Sequence, residues 1–382
     1  MPSYSQKGEG LNFDKAVQYH YDAFPPPKAK IDYSLLIKPL TKAAEAIARY
    51  DQMLKGMHNS EILLAPLRSQ EAVISSRMEG TVSTIDEIMR YAASQSWGRE
   101  ENTRTEAIEV FLYSRALKNA QRVLEAGSCS YTWLIQTIHR ELLMLGRGST
   151  KSPGEFKSEQ NYIIDEMTKE VLFVPINPLK LNDGLGLLFN YLNDSDEQDL
   201  IKLAISHVEF EALHPFKDGN GRIGRMLITL DLWQKGIIAA PHFYVSSYFE
   251  QEKKRYITCM RNVSKENDWT GWCVFFMEAL AYQAINNLQK AEDIQKLYEE
   301  MKGIFRDKLA SSWCIQALDF MFKNPIFYTT KFRQESGIPG STASRFIRVL
   351  TADTNLLKIL EESSGQRPAL LSFEPLLELV RG

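Results

Sequence analysis

The sequence predicts a mainly α-helical protein with one β-hairpin and a C-terminal helix-turn-helix that is followed by two strands. Three observations support this fold class. Helical patterns of apolar residues cover most of the chain from about residue 36 onward. Two strand-like runs at 161–164 and 171–174 flank a polar stretch, which indicates a hairpin inside a helical protein. Beyond residue 310, short helical patterns precede two β-like runs.

The N-terminal part is predicted to be an irregular arm followed by five helices. Pro66 suits the first turn of a helix, and Gly80 suits the position just after its end. Thr84 and Glu87 have the spacing of a capping box, so another helix is expected to begin near Ser83. The predicted helices of this part are 36–48, 66–80, 83–93, 104–126 and 131–145.

Helices resume after the hairpin and continue almost to the end of the chain. They are predicted over 180–194, 197–213, 220–235, 249–264, 268–290, 291–308, 312–323, 328–336 and 341–350, and two strands over 356–360 and 369–373. We divide the chain into an N-terminal helical region (1–100), a core (101–290), and a linker helix with a terminal unit (291–382).

Composition is that of an ordinary globular protein, with 44% hydrophobic and 24% charged residues among 382. A net charge of −3 gives no overall sign of nucleic-acid or membrane binding. The four cysteines are far apart and form no C-x-x-C pair, which favours reduced thiols and a cytoplasmic location. We expect no signal peptide and no membrane span, because no sufficiently long apolar run is present.

The run HPFKDGNGRIGR at residues 214–225 is the most informative part of the chain. Its glycines, Gly219, Gly221 and Gly224, allow backbone N–H groups to turn inward and form an anion-binding concavity. A helix that begins near Asn220 adds the N–H groups of its first turn to that concavity. The run therefore predicts a polyphosphate site.

Four charged or titratable side chains complete this run. Arg222 and Arg225 are three residues apart, so they share a helix face and can bind two phosphates. Asp218 is a hard oxygen ligand, suited to a Mg2+ ion that also bridges phosphates. His214 is the group in this run that can accept a proton near neutral pH.

This run matches every specified position of the Fic family pattern, His-x-Phe-x-(Asp or Glu)-Gly-Asn-Gly-Arg-x-x-Arg. The resemblance extends over roughly residues 60–290 and implies a Fic-type helical core with a β-hairpin flap. Fic proteins commonly transfer AMP from ATP to a hydroxyl group of a target protein. Related Fic sites transfer other phosphate-containing groups or remove AMP, and the run by itself leaves these reactions open.

The resemblance implies a role for each residue of the run. His214 deprotonates the incoming Ser, Thr or Tyr hydroxyl, and Asp218 holds Mg2+ between the α- and β-phosphates. Asn220 and the loop N–H groups hold the α- and β-phosphate oxygens. Arg222 binds the β-phosphate, and Arg225 binds the γ-phosphate.

The hairpin at 155–174 resembles the family's flap, which pairs with an extended stretch of the target and lines the nucleotide site. By this resemblance Ile163, Ile164 and Asp165 are nucleotide-binding residues. Many family members have a Trp and adjacent glycines at this point, whereas this chain has Tyr162 to Asp165. Details of target docking are therefore expected to differ.

Residues 75–80, SSRMEG, resemble the family's inhibitory signature, (Ser or Thr)-x-x-x-Glu-(Gly or Asn). In members with this signature near the N-terminus, the glutamate pairs with the second arginine of the Fic run and obstructs the γ-phosphate. Here that pair is Glu79 and Arg225. The alternative is a solvated Glu79, or one paired with Arg77 in its own helix.

An adenine pocket is predicted less directly. Tyr256 resembles a tyrosine that family members place near the base, with Tyr248 and Phe249 as alternatives, and each of the three also suits the core. His207, seven residues before His214, suits a packed helix position better than a catalytic one.

The terminal unit resembles a winged helix-turn-helix, a common attachment to Fic domains. Its second helix would expose Arg345 and Arg348, and Arg367 would lie at the wing tip. Residues 301–382 contain eleven basic and eight acidic residues, a local net charge of +3 that supports DNA binding only weakly. A module for protein interaction or dimerisation is an equal alternative.

Two functions from different classes are carried forward. The first is a self-inhibited adenylyltransferase that acts on a hydroxyl-bearing target protein, itself included, with ATP and Mg2+. The second is a DNA-binding regulator whose Fic domain only senses nucleotide. His214 favours the enzyme, because a sensor needs no base beside its phosphate loop. A homodimer is an option that the sequence leaves open.

Overall fold

The computed structural model describes residues 2–5, 11–57, 59–95, 104–127, 130–165 and 167–381. Its helices are α1 (Tyr33–Gly56), α2 (Ser60–Leu63), α3 (Ala65–Met78), α4 (Ile85–Gln95), α5 (Thr105–Glu125), α6 (Tyr131–Leu142), α7 (Leu181–Asp194), α8 (Asp199–Leu213), α9 (Asn220–Gln234), α10 (Ser246–Gln251), α11 (Lys253–Glu266), α12 (Trp269–Leu309), α13 (Cys314–Lys323), α14 (Thr329–Glu335), α15 (Gly340–Thr351) and α16 (Glu374–Arg381). Its strands are β1 (Pro2–Ser5), β2 (Val17–Gln18), β3 (Tyr162–Asp165), β4 (Val171–Val174), β5 (Ile326–Tyr328), β6 (Leu357–Glu361) and β7 (Leu370–Phe373). The mainly helical class is thus confirmed. None of the helices in these ranges combines the length and apolar character that a membrane span needs.

Helix α8 lies at the centre of the core, between α9, α7 and the long helix α12. Its sequence is apolar on nearly every side, which is typical of a helix that is buried all round. The carboxylate of Glu209 is a polar exception on this helix. It accepts hydrogen bonds from Tyr19 Oη at 2.7 Å and pairs with His20 Nε2 at 2.8 Å, so it anchors the N-terminal arm to the core.

The predicted hairpin is confirmed as the antiparallel pair β3 and β4. Both of its outer edges are paired with the N-terminal arm, in the strand order β1-β3-β4-β2. β1 runs antiparallel to β3, with Ser3 opposite Ile164, and β2 runs parallel to β4, with Val17 opposite Phe173. The sequence predicted an irregular arm because these strands are only four and two residues long. Their pairing satisfies backbone groups that an exposed edge leaves open.

Helix boundaries near the inhibitory signature follow the predicted signals. Pro66 lies in the first turn of α3, and Glu79 is its C-cap. Gly80 has a φ of 90°, in the left-handed region that glycine favours just after a helix. Thr84 and Glu87 exchange two hydrogen bonds, at 2.8 and 3.2 Å, which confirms the capping box of α4.

Two helix predictions were wrong. The predicted helices 268–290 and 291–308 are a single helix, α12, of 41 residues, which runs through the predicted boundary at 290/291. Its buried stripe continues past that point with helical spacing, at Ala291, Ile294, Tyr298, Met301 and Phe305. Conversely, the predicted helix 249–264 is interrupted at Glu252, which separates α10 from α11.

The terminal unit consists of α13, β5, α14, α15, β6, β7 and α16, with its strands in the order β5-β7-β6. Strand β5 and helix α16 were not predicted from the sequence. α16 packs against α3, where Gln70 Nε2 donates to the carbonyl of Val380 at 3.1 Å. Arg381 forms a bidentate ion pair with Asp86 of α4, at 2.9 and 2.6 Å. Helix α16 therefore contacts both α3 and α4, the helices that precede and follow Glu79 in the sequence.

Candidate active site

The first part of the run at 214–225 forms a tight loop between α8 and α9. His214 caps α8 in the left-handed conformation, with a φ of 48°. Gly219 caps α9 with a φ of 81° and provides no side-chain acceptor for the N–H groups of its first turn. Asn220 accepts from Phe216 N at 2.8 Å and donates to Phe216 O at 2.9 Å. The side chain of Asn220 therefore closes the loop by bonding both backbone groups of Phe216.

His214 is fully buried, and its tautomer follows from its partner. The carbonyl of Glu211 can only accept, so Nδ1–H of His214 donates to it at 3.2 Å. The neutral ring then carries its basic lone pair on Nε2. Burial, and to a lesser extent the nearby Lys157 charge, lower the pKa of His214 to about 3. The imidazole is consequently neutral, the form that a general base requires.

Asp218 and Arg222 supply the charged part of the loop. Asp218 Oδ1 accepts from Gly219 N at 2.5 Å and from Arg222 Nη2 at 3.3 Å. The Arg222 guanidinium is buried, and its Nε and Nη1 have no hydrogen-bond partner among the described residues. Buried donors without an acceptor are costly, and a phosphate group would satisfy them.

A Mg2+ ion fits this loop only together with phosphates. Within the described ranges, no group of three or more His, Cys, Asp and Glu residues is arranged to hold a metal. Asp218 provides one carboxylate, whose side chain is 31% exposed. Mg2+ is commonly held by one or two carboxylates plus substrate phosphates. Asp218 provides the carboxylate of that ligand set, and the unsatisfied Arg222 donors beside it suit the phosphates.

Glu79 and Arg225 form an ion pair, with 2.7 Å between Oε1 and Nη2. Arg225 also donates from Nε to Ser75 Oγ at 2.8 Å and from Nη2 to Ser75 O at 2.9 Å. Burial raises the pKa of Glu79, but the charge and hydrogen bond of Arg225, together with the Arg222 and Lys253 charges, outweigh burial, and the net shift is downward. A Cβ at Gly221 would lie 2.3 Å from Glu79 Oε1, so glycine at this position is what permits the close approach.

The last turn of α3 is held from the other side by α10 and α11. Arg77 forms a bidentate ion pair with Glu250, at 2.5 and 2.6 Å. Lys253 Nζ donates to the carbonyl of Met78 at 2.5 Å. Arg77 therefore pairs with Glu250, and the predicted alternative of an Arg77–Glu79 pair is not present.

A cavity of about 110 Å³ adjoins the loop. Five of the predicted site residues line it: Glu79, Ile163, Gly221, Arg225 and Tyr256. The structure does not bring Ile164 and Asp165 to this cavity. The Ile164 side chain is buried, and Asp165 Oδ1 accepts from the N–H groups of Met167 and Thr168 in the hairpin turn. Strand alternation sends the Ile164 side chain to the face opposite that of Ile163, and the turn hydrogen bonds hold Asp165 at the end of the hairpin.

The aromatic residue predicted for the base, Tyr256, lies both on the cavity and in the core. Its hydroxyl is 2.8 Å from His207 Nε2, and its ring stacks on Phe249 at 4.4 Å. His207 is buried, as its predicted packing position requires, and burial lowers its pKa to about 3. Tyr256 is therefore a rigid wall of the cavity.

Three buried side chains that were not predicted as site residues, His139, Lys157 and Asn161, hold the loop in place. His139 stacks on Phe216 at 3.9 Å, accepts from Gly154 N at 2.7 Å and donates to Asp218 O at 3.1 Å. Lys157 Nζ donates to Asn161 Oδ1 at 2.8 Å and to the carbonyl of Leu213 at 3.0 Å. Spacing along the chain carries no signal for these contacts.

Asn161 extends this lock from the flap to the loop. Its Nδ2 donates to the carbonyl of His214 at 3.3 Å and to that of Phe216 at 3.0 Å. The backbone of His214 and the residue before β3 are thus joined through one amide, which connects the flap to the loop.

Replacing Lys157 with Met should destabilise the fold by about 2 kcal/mol, because two buried acceptors lose their donor. Burial lowers the pKa of Lys157 to about 7, which shows that the site disfavours the charged ammonium and that its hydrogen bonds must offset this cost. Denaturant unfolding measures the loss. Lys180→Met, at a side chain that is 67% exposed, serves as the control and should shift stability by less than about 0.5 kcal/mol. Equal shifts in both variants would contradict the buried-donor role.

Two family models match consecutive segments of the chain. Residues 37–122 match the model "Fic/DOC family N-terminal", and residues 130–232 match the model "Fic/DOC family". An Aquifex aeolicus protein described as "Probable protein adenylyltransferase" is 25% identical over 207 residues, which are 54% of this chain and 58% of that protein. A protein adenylyltransferase of Caenorhabditis elegans is 29% identical over 105 residues, 27% of this chain and 19% of that protein. The chain thus spans less than two thirds of these relatives.

Solved structures share the fold at low identity. A Fic family protein from Desulfovibrio desulfuricans G20 has a TM-score of 0.55 at 18% identity, covering 89% of this chain and 95% of that one. A Fic domain containing signaling protein from Bacteroides thetaiotaomicron has a TM-score of 0.52, also at 18% identity, covering 67% and 97%. The architecture is therefore a mainly helical Fic-type fold with small sheets. Two consecutive segments of this chain, residues 37–122 and 130–232, therefore match the Fic/DOC family models.

Proposed function

We propose that this protein transfers AMP from ATP to a Ser, Thr or Tyr hydroxyl of a protein, and that Glu79 holds it in an inactive state. The observation that carries the proposal is the Arg225–Glu79 ion pair at 2.7 Å, closed directly over the loop that carries His214. The relatives described as adenylyltransferases support the reaction type. The buried donors of Arg222 support a phosphate-bearing substrate.

The transfer step uses the residues of the loop in fixed roles. The target hydroxyl oxygen attacks the α-phosphorus of ATP, and its proton passes to Nε2 of His214. The bond between the α-phosphorus and the bridging oxygen breaks, and pyrophosphate leaves with that electron pair. A Mg2+ ion at Asp218, when bound, neutralises charge on the α- and β-phosphates.

The two arginines and the helix N-terminus stabilise the leaving group. Arg222 offers its unsatisfied Nε and Nη1 to the β-phosphate, and the N–H groups at the start of α9 face the same charge. Arg225 is the ligand for the γ-phosphate. While Glu79 holds Arg225, the triphosphate lacks the Arg225 contact to its γ-phosphate and is misplaced for in-line attack.

Target docking involves the flap, and strand β1 supports self-modification in particular. β1 already pairs with β3 along the edge where an extended peptide would add. Its four residues include Ser3, Tyr4 and Ser5, three hydroxyl-bearing acceptors. We infer that this segment is a self-target of the enzyme. A separate target protein would present an extended, hydroxyl-bearing segment that replaces β1 at the edge of β3.

The test is the intact mass of the Glu79→Gly protein after incubation with Mg2+ and each nucleoside triphosphate in turn. A gain of one AMP with ATP supports the proposal, and peptide mapping then locates the modified residue. A gain with another nucleotide corrects the donor. No gain on the protein, and no transfer to proteins of a bacterial extract, would reject adenylyl transfer.

The second function, DNA binding, is supported by the element order of the terminal unit. The order α13-β5-α14-α15-β6-β7 corresponds to a winged helix, in which α15 is the recognition helix. Arg345 is an unsuitable DNA ligand, because it donates to the carbonyl of Leu309 at 3.0 Å and packs on Phe346. Arg367 pairs with Glu361 at 2.5 Å. Arg348 is exposed on α15 and carries the proposal.

Replacing Arg348 with Ala in the full chain should weaken binding to duplex DNA by about 1 kcal/mol and lower the salt slope by about one. Fluorescence anisotropy at low ionic strength measures both. Arg333→Ala, an exposed charge on the preceding helix α14, is the control. If the full chain has no DNA affinity at low salt, the terminal unit is a protein-interaction or homodimerisation module instead.

A further inference from the structure

A second carboxyl group lines the cavity beside the Glu79–Arg225 pair. Glu211 belongs to the last turn of α8 and shares the cavity wall with both partners of that pair. Its Oε1 is buried and has no hydrogen-bond partner among the described residues. A buried oxygen without a donor is destabilising, so its position needs a reason.

The backbone of α9 is shaped to admit this carboxyl group. A Cβ at position 224 would lie 2.3 Å from Glu211 Oε1 and 3.2 Å from the His207 ring, closer than real side chains allow. Gly224 was predicted to serve a phosphate. In the structure it makes room for Glu211, one residue before Arg225.

Charge links Glu211 to both members of the pair. Burial raises the pKa of Glu211 to about 8, Arg225 opposes this shift, and Glu79 adds to it. Two carboxylates next to one guanidinium repel each other, so the ionised form of one disfavours the ionised form of the other. While Glu79 is in place, Glu211 is held mainly as the neutral acid.

Arg225 needs a counter-charge in every state of the site. Its side chain is 2% exposed, and its three hydrogen bonds go to Ser75 and Glu79 of α3. Displacing Glu79 removes its negative partner, and an unpaired buried charge is strongly destabilising. Glu211 is the carboxyl group that lines the same cavity and belongs to a helix that stays in place.

We propose that Glu211 is a second partner of Arg225, which takes the guanidinium when Glu79 is displaced and competes with the γ-phosphate. Glu211 thereby acts on the nucleotide through Arg225. The inference rests on the proposed function for the role of Arg225 as the γ-phosphate ligand. Its consequence is that release of Glu79 frees the site only in part.

Nucleotide affinity of the purified full chain tests this inference. Calorimetry with Mg-ATP and Mg-ADP compares the Glu79→Gly variant with the Glu79→Gly/Glu211→Gln double variant. ATP binding should be tighter in the double variant by about 5-fold or more, while ADP binding stays unchanged, because only ATP has a γ-phosphate. A purely structural role would move both nucleotides alike.

The matched control is Glu209→Gln in the same Glu79→Gly background. Glu209 is also a buried carboxyl of α8, but it pairs with Tyr19 and His20 and does not line the cavity. It should leave the ATP-to-ADP affinity ratio unchanged. Equal or weaker ATP binding in the Glu211 double variant would overturn the inference.

A crystal structure of the Glu79→Gly variant provides the second measurement, which needs no Glu211 variant to fold. A Glu211 oxygen within 4 Å of an Arg225 nitrogen supports the inference, and an Arg225 without that contact overturns it. If Glu79→Gly fails to transfer AMP faster than the wild type, self-inhibition itself is refuted, and the crystal structure still decides the role of Glu211.

Discussion

The Glu79→Gly variant should transfer AMP about 10²-fold faster than the wild type. One positioned cation or donor that contacts developing charge is typically worth about 10²–10³-fold in rate. The ion pair at 2.7 Å withholds Arg225 from the γ-phosphate, and glycine removes the carboxylate without adding bulk beside Gly221. Incorporation of labelled AMP into protein under initial-rate conditions measures the gain.

Two further variants separate charge from other effects of this substitution. Glu79→Gln keeps the size of the side chain and removes its charge, so it should recover most of the gain. Adding Arg225→Ala to Glu79→Gly should reverse much of it, because the γ-phosphate ligand is then gone. An unchanged rate in Glu79→Gly would show that Glu79 does not inhibit transfer and serves only as the C-cap of α3.

His214→Ala, in the Glu79→Gly background, should lower AMP transfer by about 10²–10⁴-fold, the range that general-base catalysis contributes. ATP affinity should change little, because the phosphate contacts come from Arg222, Arg225 and the start of α9. Labelled AMP incorporation measures the rate, and calorimetry measures ATP binding in the same preparation.

The control for this variant is His242→Ala. His242 is equally buried, and burial also lowers its pKa, to about 4, but it belongs to the segment between α9 and α10 and contacts Tyr244. Transfer should persist in it, apart from any loss of stability. If His214→Ala transferred AMP at a comparable rate, a different group would be the base.

Local signals account for the parts of the fold and site that could be predicted. Pro66 and Gly80 define α3 because one suits a first helical turn and the other a left-handed residue after the end. Thr84 and Glu87 define the start of α4 through contacts only three residues apart. The long helix α12 was mistaken for two because local patterns do not reveal one continuous buried stripe across a predicted domain boundary.

The sequence by itself determined the glycine-rich run at 214–225, the SSRMEG run at 75–80 and the limits of α3 and the start of α4, since these depend on fixed spacing and short-range contacts. The pairing of Glu79 with Arg225, across 146 positions, was predicted only through the family resemblance, and tertiary structure alone decided that Arg77 pairs with Glu250. It also decided that Asn161 locks the flap to the loop. Such contacts depend on how buried helices pack, and packing is a property of the whole core that no single segment carries.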